Sequence, residues 1–354
     1  MIFDAAFFMY GVSALLGFLS YPYRCGRSTG KAGNVEFVIP SVADGRTINS
    51  LREVVDVLRS RFPGYRIWIV VDEGCSVCIE GAETVAVPSS FPGKPCKGRA
   101  LEFFRRSYVK PNTWYCFLDD DSYPLSDDFL YEILFYEGRG YVAANGVLTP
   151  RMGRSHLCYI LDHLRLWDDL FIFRLNTGLL GKPYIGLHGE LLILHGKVLK
   201  DISFPLNSIT EDFNYAQKLV RNGYRTWQSR TKVSIRSPNN VKDFWRQRAR
   251  WMRGILHDLK LCNPISMMFV LFRIVGGIAS SMLFAPLWLL LPANTPLALF
   301  GVFGAAYYLS SYIYGICRTR KWRLLPLTPI LGLFEPISIF YIPRIKGFTV
   351  IDKN

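Results

Sequence analysis

Apolar positions follow two regimes along the 354-residue chain: long unbroken runs at both ends, and short periodic runs between them. Phe3 to Tyr23 is an apolar run of about twenty residues, the length that crosses a bilayer as a helix. Arg24, Arg27 and Lys31 follow it. A secretory leader carries its positive charge before the apolar run, so this order predicts a transmembrane helix over residues 1–23 with its C-terminal end in the cytoplasm. Near the other end, Ile265 to Leu291 and Thr295 to Cys317 are joined by Pro292-Ala-Asn-Thr-Pro296, which predicts a transmembrane hairpin over residues 265–317. Arg318, Arg320, Lys321 and Arg323 then mark a cytoplasmic end. Leu324 to Pro343 is interrupted by Pro326, Pro329 and Pro336 and contains Glu335. It reads as an interfacial or re-entrant segment, so residues 324–354 form that segment and a cytoplasmic tail.

Between residues 34 and 261 the rhythm is that of an α/β domain. Val35–Pro40, Tyr65–Asp72, Thr84–Val87 and Trp114–Leu118 read as strands, the last three residues of the second being apolar on both faces before Asp72. Ile48 to Phe62, Gly98 to Val109 and Val241 to Leu259 carry helical spacing. Near-continuous apolar strands separated by helices predict a mainly parallel sheet covered on both sides. In such sheets ligands bind beyond the carboxyl ends of the strands. Three polar features fall there: Pro40-Ser41, Asp72-Glu73 and Asp119-Asp120-Asp121. No three-glycine dinucleotide fingerprint follows the first strand, which disfavours a nicotinamide enzyme.

Composition narrows the partners. Half the residues are hydrophobic, which excludes a disordered chain. The net charge of +14 raises the possibility of a membrane-tethered nucleic-acid binder. The basic residues cluster beside the apolar runs, however, where an anionic lipid surface accounts for them, so a lipid bilayer and no nucleic acid is the expectation. Of the eight cysteines only Cys75 and Cys78 form a close pair, and no second pair stands at zinc spacing.

Four short stretches carry candidate chemistry. Asp119-Asp120-Asp121 leaves the end of a strand; three adjacent carboxylates repel unless a cation sits among them, and an exposed acidic turn is the simpler alternative. Lys97-Gly-Arg99 opens a helix, a favourable place for phosphate. Ile209-Thr-Glu211-Asp212 begins another helix. Thr210 and Asp212 there fit plain capping, or Asp212 fits a general base whose pKa is raised beside Glu211 in a cleft. In Trp245-Arg-Gln-Arg-Ala-Arg-Trp-Met-Arg-Gly254, helical spacing puts Gln247, Arg250 and Trp251 on one face, with Arg248 pointing elsewhere. Arg250 can grip a phosphate and Trp251 can offer an apolar face to a sugar ring. A basic interfacial helix ahead of a membrane span fits the same residues.

Taken in order, a strand ending in Pro, one ending in Asp, the Lys-Gly-Arg-Ala-Leu helix, Asp-Asp-Asp, Thr-Glu-Asp and Gln247-Arg-Ala-Arg-Trp251 resemble glycosyltransferase family 2. The resemblance is to the membrane-bound branch that includes cellulose synthase-like enzymes and egghead-type β-1,4-mannosyltransferases, and it covers about Asn34 to Trp251 and the helices that follow. It implies a GT-A type, Rossmann-like mixed sheet domain flanked by transmembrane helices. It also implies Asp212 as catalytic base, Asp119 and Asp121 at a Mg²⁺ or Mn²⁺ ion, and Asp72 at the base or ribose. Gln247 and Arg250 would address the diphosphate, and Gly189 would lie near the donor sugar. Pro40, Ser41, Lys97, Arg99 and Asp120 would complete the donor side, with Trp251 and Glu211 on the acceptor side. His188 and Glu190 around Gly189, and Asp-Glu-Gly-Cys after the second strand, depart from the usual pattern. The reaction implied is metal-assisted inverting transfer of a hexose from a nucleotide-sugar, GDP-mannose ahead of UDP-glucose, to a lipid-linked glycan at the cytoplasmic membrane face. A processive polysaccharide synthase is the second reading.

Overall fold

The computed structural model describes residues 2–75, 77–283 and 296–345. The chain runs α1 (Ile2–Leu19), β1 (Val35–Pro40), α2 (Ile48–Arg61), β2 (Arg66–Asp72), β3 (Glu83–Val87), α3 (Lys97–Tyr108), β4 (Trp114–Phe117), β5 (Tyr123–Pro124) and α4 (Asp128–Tyr136). It continues through β6 (Tyr141–Arg151), α5 (His156–Asp168), a π-helix (Asp169–Leu179), β7 (Leu192–His195), α6 (Gly196–Asp201), α7 (Glu211–Arg221) and β8 (Arg225–Arg236). The helices α8 (Val241–Asp258), α9 (Pro264–Leu283), α10 (Pro296–Thr319), α11 (Thr328–Leu331) and α12 (Phe334–Ile337) follow.

The eight strands form one sheet in the order β3-β2-β1-β4-β7-β6-β8-β5. β1 to β4 are mutually parallel where they pair, as their apolar runs suggest. β7 then enters antiparallel between β4 and β6, and β5 pairs antiparallel with β8, so the sheet is mixed while its other six strands run the same way. The reversal at β7 positions the site. Phe117 at the end of β4 pairs with Leu192 at the start of β7, so the loop ahead of β7 arrives beside the aspartates that follow β4. One face of the sheet packs Val35, Phe37, Ile39 and Ile69 against α2 and α4, and the other packs Val38, Val70 and Tyr115 against α3 and α7. These alternating buried positions are the period-2 signal of strands covered on both faces.

A third cluster joins α1, α5, α8 and α10 through Ala14, Ile160, Leu161, Phe244, Tyr308 and Tyr312. α1 approaches α10 at Gly11, where a Cβ would collide with Phe300, and Phe8 stacks on Phe300 with ring centroids 5.9 Å apart. Among the described residues, Leu299–Thr319 is the one unbroken helix long and apolar enough to cross a membrane. Trp322–Leu331 and Phe334–Arg344 pass the same test only as a pair, and they meet at 51° across Gly332-Leu333. The link Pro292 to Thr295, the end of the preceding apolar run and the tail beyond residue 345 lie outside the described residues. All eight cysteines are free.

Candidate active site

Because β1, β2 and β4 are parallel, their carboxyl ends open on one edge, and Ser41, Asp72 and Asp119 meet there. α3, the loop before β7, the start of α7 and one face of α8 close over that edge. Together they enclose a cavity of about 250 Å³. Pro40, Ser41, Asp72, Lys97, Asp119, Asp120, Asp121, Gly189, Glu211, Asp212, Gln247, Arg250 and Trp251 all line it.

Charge is densest around Lys97. Its Nζ lies 2.5 Å from Asp119 Oδ1 and 3.1 Å from Glu211 Oε1. Burial works against its ammonium, but Asp119, Glu211 and Asp212 outweigh that cost and hold its pKa well above the usual value. Gly189 sits directly against this contact, and a Cβ there would collide with Lys97 Nζ. Asp120 accepts a 2.7 Å hydrogen bond from Ser41 Oγ. Asp212, in the first turn of α7, accepts from Phe213 N at 2.8 Å. Burial in the cavity wall, and next the neighbouring Glu211 charge, push its pKa up to about 7, with Lys97 opposing them. A carboxylate tuned to that range suits general base chemistry near neutrality.

Thr210 does not cap α7 with its side chain. It serves instead as a contact for α8: a Cβ on Gly254 would fall 2.5 Å from the Thr210 side chain. Asp258, at the end of α8, accepts hydrogen bonds from Ser208 (2.7 Å) and Asn214 (3.0 Å), fastening α8 to α7. Thr-Glu-Asp and Gln-Arg-Ala-Arg-Trp are therefore two walls of one site held in a fixed relation. Arg248 leaves the cavity face and is buried, with ion pairs to Asp162 (2.7 Å) and Glu335 (3.0 Å).

Arg99 is the one sequence-selected residue that the structure keeps out of the cavity wall. Its guanidinium binds Asp72 Oδ1 (2.7 Å) and the carbonyls of Pro88 and Phe91. With those donors engaged, Arg99 orients Asp72 rather than facing a phosphate. Several further residues of the cavity had no role assigned to them in the sequence. Arg165 pairs with Glu190 at 2.6 Å and lies over the Trp251 ring at 4.8 Å. His188 contacts Asp169 at 2.5 Å, a fully buried residue of the π-helix. Arg236, Asp168 and Arg273 complete the wall. Their partners are far away in sequence, so no local spacing marks them.

Among the described residues, no three His, Cys, Asp or Glu side chains form a ready metal cage. The Asp119–Asp121 carboxylates supply oxygen ligands only, and two of them already accept hydrogen bonds, Asp119 from Lys97 and Asp120 from Ser41. That set suits a hard divalent cation that retains water or ligand oxygens, and does not suit the nitrogen and sulfur preference of zinc.

A profile of glycosyl transferase family group 2 matches residues 114–327, more than half of the chain. The chain is 24% identical over 287 residues to the β-1,4-mannosyltransferase bre-3 of Caenorhabditis briggsae, covering 76% of this chain and 62% of that protein. It is also 24% identical over 220 residues to the β-1,4-mannosyltransferase egh of Drosophila melanogaster, covering 59% and 48%. The chain thus spans less than two thirds of the length of the curated relatives it matches. Among solved structures, a mannosyltransferase from Pyrobaculum calidifontis, PcManGT, in complex with GDP-Man and Mn²⁺, superposes with a TM-score of 0.56 at 15% identity, covering 96% of each chain. That likeness is one of fold, and it identifies the mixed sheet as GT-A-like. The chain belongs to glycosyl transferase family group 2.

Proposed function

We propose that this protein is a membrane-bound inverting glycosyltransferase that moves mannose from GDP-mannose to a glycolipid or oligosaccharide acceptor at the cytoplasmic membrane face. The observation that carries this reading is the convergence of Asp119, Asp212 and the Gln247–Arg250–Trp251 face on one cavity. Mannose is favoured by the names of the curated relatives and by GDP-Man in the Pyrobaculum structure. The membrane association is favoured by the apolar α10 and the apolar helices packed beside it.

The reaction is a single in-line displacement. An acceptor hydroxyl lies within reach of Asp212, which takes its proton as the oxygen attacks the anomeric carbon. The bond from that carbon to the diphosphate breaks, so an α-linked donor gives a β-linked product. Arg250 and Lys97 face the leaving diphosphate with positive charge, which a low-dielectric cavity makes more effective. Asp119 and Asp121 would hold a Mg²⁺ or Mn²⁺ ion, whose charge neutralises diphosphate oxygens when bound. Gln247, buried in the wall, and Gly189, with no side chain, shape the space for the donor.

Calorimetric titration of the purified protein with GDP-mannose and UDP-glucose, with and without Mn²⁺, tests the donor assignment. Cation-dependent binding of GDP-mannose is the expected result, and binding of UDP-glucose alone would replace it. Asp121→Ala is expected to abolish the cation-dependent part of that binding; an unchanged titration removes Asp121 from the metal site. Trp251→Ala is expected to lower transfer to the acceptor at least about fivefold while hydrolysis of the donor by water changes little, since a ring stacked on a sugar contributes about 1 kcal/mol or more. Equal losses in both would contradict an acceptor-side role. The second reading, a processive synthase, predicts a ladder of long products from the same assay.

A further inference from the structure

Beside the catalytic cavity lies a second one of about 300 Å³, enclosed by α1, α5, α8, α9, α10 and the stretch from Glu335 to Ile339. Asp168, Trp251, Ile255 and Arg273 line both. The two spaces therefore share a wall, and the residue on it placed at the acceptor is Trp251.

Their chemistry is opposite. The catalytic side presents Lys97, Arg250 and a group of carboxylates. The second side presents Val12, Leu16, Met252, Met268, Phe272 and Ile274. Its four charged residues are neutralised in pairs within the wall. Arg248 contacts Glu335 at 3.0 Å, and Arg273 hydrogen-bonds Asp168. An occupant consequently meets apolar surface and no uncompensated charge.

We propose that this second cavity receives the hydrocarbon chain of the acceptor, while the acceptor's sugar lies against Trp251 on the catalytic side. The proposal rests on the transfer reading above and adds where the lipid part binds. Three observations support it. The shared wall makes any molecule in the second cavity a direct neighbour of an acceptor in the first. The lining is mostly apolar, with the Tyr307, Tyr308 and Ser338 hydroxyls and the Trp251 indole as its few uncharged polar groups, so it offers chiefly dispersion contacts, which favours a hydrocarbon over solvent. Met252 and Met268 are adaptable side chains that fit flexible chains. The volume stands at the lower end of small-molecule sites, about 300–1,000 Å³, and suits the first part of a chain rather than a whole lipid. Trp251 is steadied for this partition by Arg165 and Arg248, whose guanidinium carbons lie 4.8 and 4.6 Å from its ring centroid.

The test uses the full chain in phosphatidylcholine nanodiscs with ethyl and dodecyl β-mannosides and β-glucosides as acceptors. The dodecyl compounds are expected to show a KM at least about tenfold below that of their ethyl counterparts, because each buried methylene adds to binding. Leu16→Trp on α1 and Ile274→Trp on α9 fill the cavity from two sides. In both variants the chain-length preference should collapse, while donor hydrolysis and transfer to the ethyl compounds stay near wild type. A dodecyl glucoside bearing a terminal diazirine gives a readout independent of turnover: labelling should fall on α1, α9 or the Glu335–Ile339 stretch. No chain-length preference in the wild type, a preference kept in both filled variants, or labelling confined to the outer surface overturns the proposal. Labelling inside the cavity without any sugar transfer would uphold the hydrocarbon site and remove the transfer reading instead.

Discussion

Asp212→Asn is expected to bind the nucleotide-sugar as tightly as the wild type and to transfer sugar about 10²- to 10⁴-fold more slowly, the usual range for loss of a positioned general base. The amide is the same size as the carboxylate and can still accept from Phe213 N, so the start of α7 stays in place. What it lacks is a proton-accepting charge. The pH dependence gives a second readout with a definite sign. Burial and the Glu211 charge raise the Asp212 pKa to about 7, and the deprotonated form is the active one. Transfer by the wild type should therefore rise with pH through about 7 and fall away below it. The residual rate of the Asn variant should be flat across that window. Initial rates at saturating donor and acceptor settle both points. Turnover within tenfold of wild type, or an unchanged pH profile in the variant, would remove Asp212 as the base.

Arg248→Met should lower stability by about 3 kcal/mol or more, because it leaves the fully buried Asp162 and the partly buried Glu335 without their common cation. Arg248 is 6% exposed and Asp162 is fully buried, so solvent cannot replace the lost partner. The guanidinium also holds Phe244 and Trp251 by cation–π contacts at 4.5 and 4.6 Å. Thermal denaturation should show a fall on the order of 10 °C. Adding Asp162→Leu and Glu335→Leu should recover much of the loss, since apolar residues of similar volume often replace a buried ion network at little cost. A single variant as stable as wild type would show that the network contributes little to the junction between the α/β domain and the C-terminal helices.

How far the site could be read from the chain is clear from individual residues. Asp119 and Asp121 stand at the end of an apolar strand, and Gln247, Arg250 and Trp251 recur at helical spacing. Both patterns are local, so their geometry follows from 2.0- and 3.6-residue periods. Arg99 shows the limit of such reading. Its place at a helix start suits phosphate, yet a partner 27 positions away, Asp72, claims it. Arg165 and Asp169 were invisible for the same reason, and His188 and Glu190 stood out only as departures from a family pattern: each gains its meaning from a partner brought close by the fold. The alternative of a basic interfacial helix for Trp245–Gly254 also divides on packing. Arg248 turns into the protein, while Arg250 and Trp251 face the cavity.

Periodicity and order along the chain were enough to place the first four strands, the helices α2, α3 and α8, the apolar ends and the motifs that carry chemistry. These depend on neighbours within a few residues. The antiparallel entry of β7 between β4 and β6, the π-helix that buries Asp169 and the second cavity behind Trp251 were decided only in three dimensions. Each depends on contacts between segments tens or hundreds of residues apart, where loop closure and packing choose among pairings that local propensity leaves nearly equal.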